Sequence, residues 1–458
     1  MDDKRLYIME QEKIGKALRI MAVPPIVGMM VNSVYNIVDA LFVGWLGKEQ
    51  LGATGIAFPI FMLIGAFGIS IGMGANSYIS RLLGAKDYDQ AEKTAGSALL
   101  AALIVGVLIT TAGQIWLTPI LKLFGATPGI LPYATDYTRI IFWASGITML
   151  CMVFNNILRA EGSATISMIG MSLGAVLNIA LDPIFIFVFD MGIKGAAWAT
   201  LISNFASFVF LASYVFMGKG VLKPKPWKVS FSAKIYGEIL KIGSPSLFRQ
   251  LLVSLSMGLL NNAAGSFSDA AVAAVAVVGR IVSFGFMGLL GLNQGFLPLA
   301  GFNFGAGQYH RLRQTITATV KAGSIFSLFI AAVGLSLAPQ IASAFGTDAE
   351  VIRITAKGLR YACILFPFTG FMITFTVLFQ AMGKALPAAF LSLARQGIFY
   401  IPMILTMPHL MGLDGVLLSQ TFADGLTLIT TAGFAVYIMG WINRRIKEAP
   451  PSEQPAVE

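Results

Sequence analysis

Apolar runs of about 20 to 27 residues follow one another along the whole chain, separated by short polar loops, and this alternation leaves few folds open. At 1.5 Å per residue, about 20 apolar residues cross a bilayer core of roughly 30 Å. Inside lipid every backbone polar group must be satisfied within its own segment, so such runs form helices. The spans fall near 18–44, 52–79, 95–117, 133–158, 164–189 and 195–217 in the first half, and 236–262, 272–299, 315–340, 357–381, 385–408 and 415–441 in the second. That predicts an all-α membrane protein with about twelve transmembrane helices. Composition agrees: 12% of residues are charged, against roughly a quarter in soluble domains.

The net charge of +10 could point to nucleic acid, but the Lys and Arg residues concentrate in alternate loops. With the N-terminus inside, the internal segments outnumber the external ones in Lys and Arg by roughly four to one, which predicts both termini in the cytoplasm of a cell (inner) membrane protein. Arg353 and Lys357 fall outside and fit this least well. The opening segment holds Asp2, Asp3, Glu10 and Glu12 and lacks the form of a cleavable signal, so the first helix is expected to stay. The polar connector 218–234 carries five lysines and two prolines and reads as a cytoplasmic linker. It divides an N-terminal lobe, 1–217, from a C-terminal lobe, 235–445, with 446–458 expected as a disordered cytoplasmic tail. Cys151 and Cys363 sit in apolar runs as small filler, His310 and His409 form no ligand cluster, and no GxxxxGK[ST] loop is present. ATP-driven transport by this chain is therefore not expected.

The halves also match each other at an offset near 221. IGKALRIMAVP at Ile14 faces YGEILKIGSP at Tyr236, Gly84 faces Gly305, Tyr88 faces Tyr309, Gly162 faces Gly383, and Gly192 and Gly195 face Gly412 and Gly415. A nearly constant offset through separate segments signals duplication. Units with an even number of helices enter the membrane from the same side, so the lobes should be related by an axis along the membrane normal, with substrate between them.

Three acids lie inside spans, where ionisable groups cost at least ~2.5 kcal/mol each and are retained where they act or are paired. Asn32, Tyr35, Asn36 and Asp39 recur at three- and four-residue intervals on one helix face; Asn178 and Asp182 share another, beside Pro183. Counted from the cytoplasmic ends, Asp39 and Asp182 both stand about 27–31 Å up, level with Thr200 and Tyr137. Two carboxylates in one poorly solvated site must share a proton or hold a cation. The amide and hydroxyl oxygens around them complete a shell suited to a hard cation. Asp424 has no comparable cluster, and the second lobe places Asn261 opposite Asp39 and Ile401-Pro402 opposite Asp182. Coupling chemistry is thus expected in the first lobe alone.

These features resemble the multidrug and toxic compound extrusion (MATE) family, prokaryotic branch, over nearly the whole chain. The resemblance rests on VDALFVGWLG, LNIALDPIFIF, RLLGAKDYDQA, LRAEGSA and GFNFGAGQYHRLRQ. It implies two six-helix bundles. It also implies Na+ or H+ binding at Asp39, Asn178, Asp182 and Thr200, which would be the metal ligands if sodium couples. Tyr35, Tyr137 and Asn155 would lie in the cavity, and Pro24, followed here by Pro25, would be a first-helix hinge. Other branches use second-lobe acids in the seventh and tenth helices; the corresponding spans here offer Arg249 and Gln250, which disfavours a second-lobe ion site.

The expected function is a cation-coupled multidrug antiporter, not an enzyme, acting as a monomer on organic cations or amphipathic drugs by alternating access. It needs a bilayer, no nucleic acid, and no cofactor beyond Na+ or H+ as coupling ion. The 34 Phe and 21 Met residues, mostly core or lipid-facing, leave some to line an adaptable cavity. A flippase for a lipid-linked carrier is the alternative, favoured by a cavity lined with several Arg or Lys. An integral membrane enzyme would need a clustered catalytic set near one interface, and a passive channel sits poorly with acids in one lobe only. The role of Arg280, inside the eighth helix, stays open between cargo binding and helix pairing.

Overall fold

The computed structural model describes residues 2–223, 229–345 and 348–448, and its regular structure is helical throughout that range. A short helix, Asp2–Glu10, precedes six long ones: α1 (Ile14–Gly44), α2 (Lys48–Gly84), α3 (Tyr88–Ile115), α4 (Leu131–Ala160), α5 (Ala164–Val188) and α6 (Ile193–Phe216). The second six are α7 (Ala233–Gly265), α8 (Asp269–Gly305), α9 (Tyr309–Ser336), α10 (Ala349–Ala381), α11 (Ala385–Met411) and α12 (Leu413–Glu448). Among the described residues, eleven of these are long and apolar enough to cross a membrane. The exception is α7, which is 33 residues long but carries Arg249, Gln250, Asn261 and Asn262. The last helix runs to Glu448, so residues 446–448 of the expected tail are helical. The remainder of the tail, and 224–228 of the linker, lie outside the described residues.

Duplication is visible in backbone lengths. Helices α2 and α8 have 37 residues each and α3 and α9 have 28 each, and the short helices Leu117–Leu123 and Ala338–Ser343 follow at the same place in each lobe. Gly192 and Gly412 share one left-handed conformation, φ 55° and 60°, that an L side chain resists. The strained turn is thus written twice, at the start of the sixth helix of each lobe.

The lobes meet through reciprocal glycine crossings. A Cβ on Gly84 would lie 2.1 Å from the Phe302 carbonyl oxygen, and one on its counterpart Gly305 would lie 2.0 Å from that of Arg81. Gly74 abuts the Ile239 carbonyl in the same way, while Gly295 abuts Met21 and Gly291 abuts Ile26. Backbones come this close only where side chains are absent. All these contacts lie at the ends of α1, α2, α7 and α8 that share a side with the chain termini. There Arg81 also pairs with Glu238 across the lobes at 2.9 Å, and the Ser77 hydroxyl donates to the Gln380 carbonyl at 2.5 Å. Towards the other side, Asn36, Ile37 and Leu41 on α1 and Leu255, Asn261 and Asn262 on α7 are exposed. The two lobes are sealed on the terminal side.

The Asp2–Glu10 helix straps that sealed side. Arg5 donates to the Tyr214 hydroxyl in the first lobe and to the Lys219 carbonyl, at 2.9 Å, where the connector begins. From the second lobe, Arg311 donates to the carbonyls of Met9 (3.3 Å) and Glu12 (2.6 Å). Beside it, Glu161 is buried: it accepts from the Leu222 N–H at 2.9 Å and the Ser163 hydroxyl at 2.8 Å, with Arg5 at 3.9 Å.

On the opposite side two of the lysines have acidic partners. Lys194 pairs with Asp136 at 3.2 Å, and Lys357 pairs with Asp414 at 2.6 Å while lying over the Tyr361 ring. The Lys357 that fitted the loop-charge pattern poorly is therefore neutralised locally.

Candidate cation and cargo site

The first-lobe acids come together where α1 lies along α5. Gly28 allows α1 to close onto the Met168 and Met171 turn of α5, and about two and three turns further up the polar face of α1 reaches Tyr35 and Asp39. On α5, Pro183 has no N–H to offer, and the next five residues, Ile184–Val188, wind as a π turn that loosens the helix directly beyond Asp182. Asp39 and Asp182 face each other closely enough for their carboxyls to share a hydrogen bond.

The Asn178 amide bridges Asp182 and Thr200: one end lies 3.0 Å from Asp182 Oδ2 and the other 3.3 Å from the Thr200 hydroxyl, which links α5 to α6. Asn178, Asp182 and Thr200 are buried, and Asp39 is half-buried at the edge of the cleft. The Oδ1 atoms of both acids are themselves buried and have no hydrogen-bond partner among the described residues. Tyr35 and Tyr137 stand within electrostatic range of both carboxyls and close the site from α1 and α4.

Not all of the expected residues share this place. Asn36 turns to the exposed side of α1, donating to the Asn32 carbonyl at 2.7 Å. Asn155 belongs to a separate buried chain: its amide donates to the Cys151 carbonyl at 2.8 Å, and its oxygen accepts from Ser167, which in turn accepts from Arg159 at 3.0 Å. That network sits about 7 Å from the terminal-side end of α4. Pro24 and Pro25 lie within an unbroken α1, buried between Met21 and Ile26, the two points where α8 glycines press on it.

In the second lobe, Asp424 is held by a residue that sequence reasoning missed. Arg395 Nε and Nη2 donate to its two oxygens at 2.9 and 3.1 Å, and Gln420 adds a third bond at 2.7 Å. The lone signal in the sequence was an arginine in the middle of an apolar span. Arg280 is exposed and has no ion pair or hydrogen bond among the described residues.

Comparison with known proteins now bears on both lobes. The family model described as MatE matches residues 24–184 and, a second time, 245–406, one copy on each bundle. The chain belongs to the MATE family. It is thus a multi-pass membrane transporter rather than an enzyme, with twelve helices in two lobes. "Multidrug export protein MepA" of Staphylococcus aureus (strain MSSA476) is 29% identical over 441 residues, covering 96% of this chain and 97% of that one. The protein of the same name from Staphylococcus saprophyticus is 28% identical over 440 residues, with the same coverage. A structure described as the outward-facing conformation of a multidrug resistance MATE family transporter superposes with a TM-score of 0.91 at 28% identity, covering 96% and 99% of the two chains. Another, of a MOP superfamily transporter from Pyrococcus furiosus described as having a binding pocket of reverse polarity, gives 0.90 at 28% identity, again over 96% and 99%.

Proposed function

We propose that this MATE transporter is a cation-coupled antiporter that exports organic cations and other amphipathic drugs across the cell membrane, with both termini cytoplasmic. The observation that carries the reading is the facing pair Asp39 and Asp182, each with an unpartnered buried oxygen, at the edge of a cleft sealed on the terminal side. Two carboxyls so placed repel unless one keeps a proton or a cation lies between them, so the site gains or loses positive charge as it is filled or emptied.

The site can take H+ or Na+. With its oxygen toward Asp182, Asn178 would complete a sodium shell with Asp39, Asp182 and Thr200; with its nitrogen there it donates to Asp182 and leaves the acid pair to share a proton. Filling the site from outside would displace cargo, and the lobes would then rock about the α1 and α8 crossing, with Pro24 as the bending point. The multidrug export by the MepA relatives supports the cargo class.

The test is uptake of a fluorescent organic cation into inverted vesicles under a pH gradient or a Na+ gradient imposed separately. Uptake driven by interior acid or by interior Na+, and reduced roughly tenfold or more in Asp39→Asn and Asp182→Asn at equal membrane abundance, is the expected result, a loss of at least ~1.4 kcal/mol of transition-state stabilisation. Uptake that follows neither gradient would remove cation coupling. Unaltered uptake in both variants would remove the acids from the mechanism.

A further inference from the structure

Two intramembrane arginines of the other lobe, the exposed Arg280 and the half-buried Arg249, have no hydrogen bond or ion pair among the described residues, and Arg249 is the one that the protein encloses. Arg249 lies about 24 Å along α7 from its start, in the middle of the helix. It is within electrostatic range of Arg395, yet among the described residues it makes no hydrogen bond and no ion pair. Asp424, the acid that pairs with Arg395, already accepts both prongs of Arg395 and the Gln420 amide, and Arg395 lies 4.9 Å from the Phe286 ring of α8. The cluster therefore keeps one uncompensated positive charge at membrane depth. An ionised group so placed is costly and is retained where something else answers its charge.

The faces of α7 show where that something enters. Gly243, Ser246 and Gln250 point at α2 of the first lobe: Gly243 rests on the Ser70 carbonyl, and Ser246 and Gln250 reach Met73 and Met62 at 3.6 and 3.9 Å. Leu252 and Ser256 point at α11, with Leu252 against Gly397 and the Ser256 hydroxyl donating to the Gln396 carbonyl at 2.5 Å. By helical spacing, Arg249 falls between the two stripes, at the border of the second lobe and the cleft between lobes. It is half-buried there.

We propose that Arg249 is an anion subsite of the cargo cleft and takes the carboxylate of zwitterionic amphipathic cargo. The Arg395–Asp424 pair is a positioning pair, since Asp424 holds Arg395 to itself and leaves Arg249 free to meet the incoming group. A guanidinium offers a planar fork that fits one carboxylate with two parallel bonds. The cleft is thereby polarised, with acids on the first-lobe side and a free cation on the second. This inference rests on the drug-export reading.

The experiment uses the full-length protein in proteoliposomes and two xanthene dyes alike except that one bears a free carboxylate and the other its ethyl ester. Wild-type transport of both is expected. Arg249→Gln should lower the ratio of carboxylate-dye to ester transport about tenfold, equivalent to ~1.4 kcal/mol. Arg249→Lys, which keeps the charge but not the fork, should fall between the two and provides a second reading where the Gln variant reconstitutes poorly. A ratio unaltered in both variants, or a wild type that moves the ester and not the carboxylate dye, would overturn the subsite. A wild type that moves neither dye would instead remove the drug-export reading beneath it.

Discussion

The two lobes share helix lengths, short connecting helices and strained glycines, yet the charges they carry inside the membrane are opposite in kind. In the first lobe, Asp39 and Asp182 face one another, and among the described residues neither has a lysine or arginine partner. In the second, Asp424 is fully occupied by Arg395 and Gln420, and Arg249 is left over. A frame copied once can therefore be specialised by a few side chains, because the backbone packing that makes a lobe depends on glycines and small residues elsewhere. An acid without a partner can gain and lose a proton during a cycle. An acid held by two bonds from arginine is a structural tie.

That distinction can be broken most forcefully at the tie. Asp424→Asn or Arg395→Gln should each destabilise the protein by about 3–5 kcal/mol, since each leaves its former partner buried and charged. The double replacement Arg395→Met with Asp424→Leu should recover most of the loss, as read by thermal unfolding in detergent. Equal destabilisation by Asp182→Asn would erase the contrast between the lobes. A smaller effect is expected at the crossing the lobes share. Gly84→Ala and Gly305→Ala place a Cβ onto a facing carbonyl and should each weaken the terminal-side seal by about 1–3 kcal/mol. Spin-label distances across that side should lengthen in both variants, and a change in one alone would show that the pseudo-symmetry does not extend to the seal.

The smallest effect concerns Glu161, which has no charged counterpart role in the second lobe, where Met382 occupies the matching place. Burial pushes its carboxyl up, and the bonds from Leu222 and Ser163 only partly oppose this. The folded state then binds more protons than the unfolded one, so stability falls as pH rises from the ordinary glutamate range to the raised value. Glu161→Gln should flatten that slope, shifting the melting temperature by a few degrees at most.

Much of this was legible in the sequence, and the reason is physical. Spans, duplication and the Asp39 and Asp182 pair follow from hydropathy, a constant offset and helical rise, which are local or strictly periodic properties. Helices α2 and α8 run well past their apolar runs because a helix does not end where the bilayer does. The Arg395–Asp424 tie joins different helices at a separation of 29 residues and leaves no periodic trace, so Asp424 looked solitary. The resemblance implies a place in the cavity for Asn155, while its bonds to Cys151 and Ser167 hold it in a separate buried network.

The N-terminal strap adds an order in time. Its residues are synthesised before either bundle, but Tyr214 and Lys219 appear only as the sixth helix ends and Arg311 only as the ninth begins. This early segment thus finds its last contacts late, when the second bundle is under way, and a chain stopped at mid-length leaves it half docked. A ribosome stalled between the lobes would therefore present a strap distinguishable from that of the finished protein, a difference open to any protease on that side of the membrane.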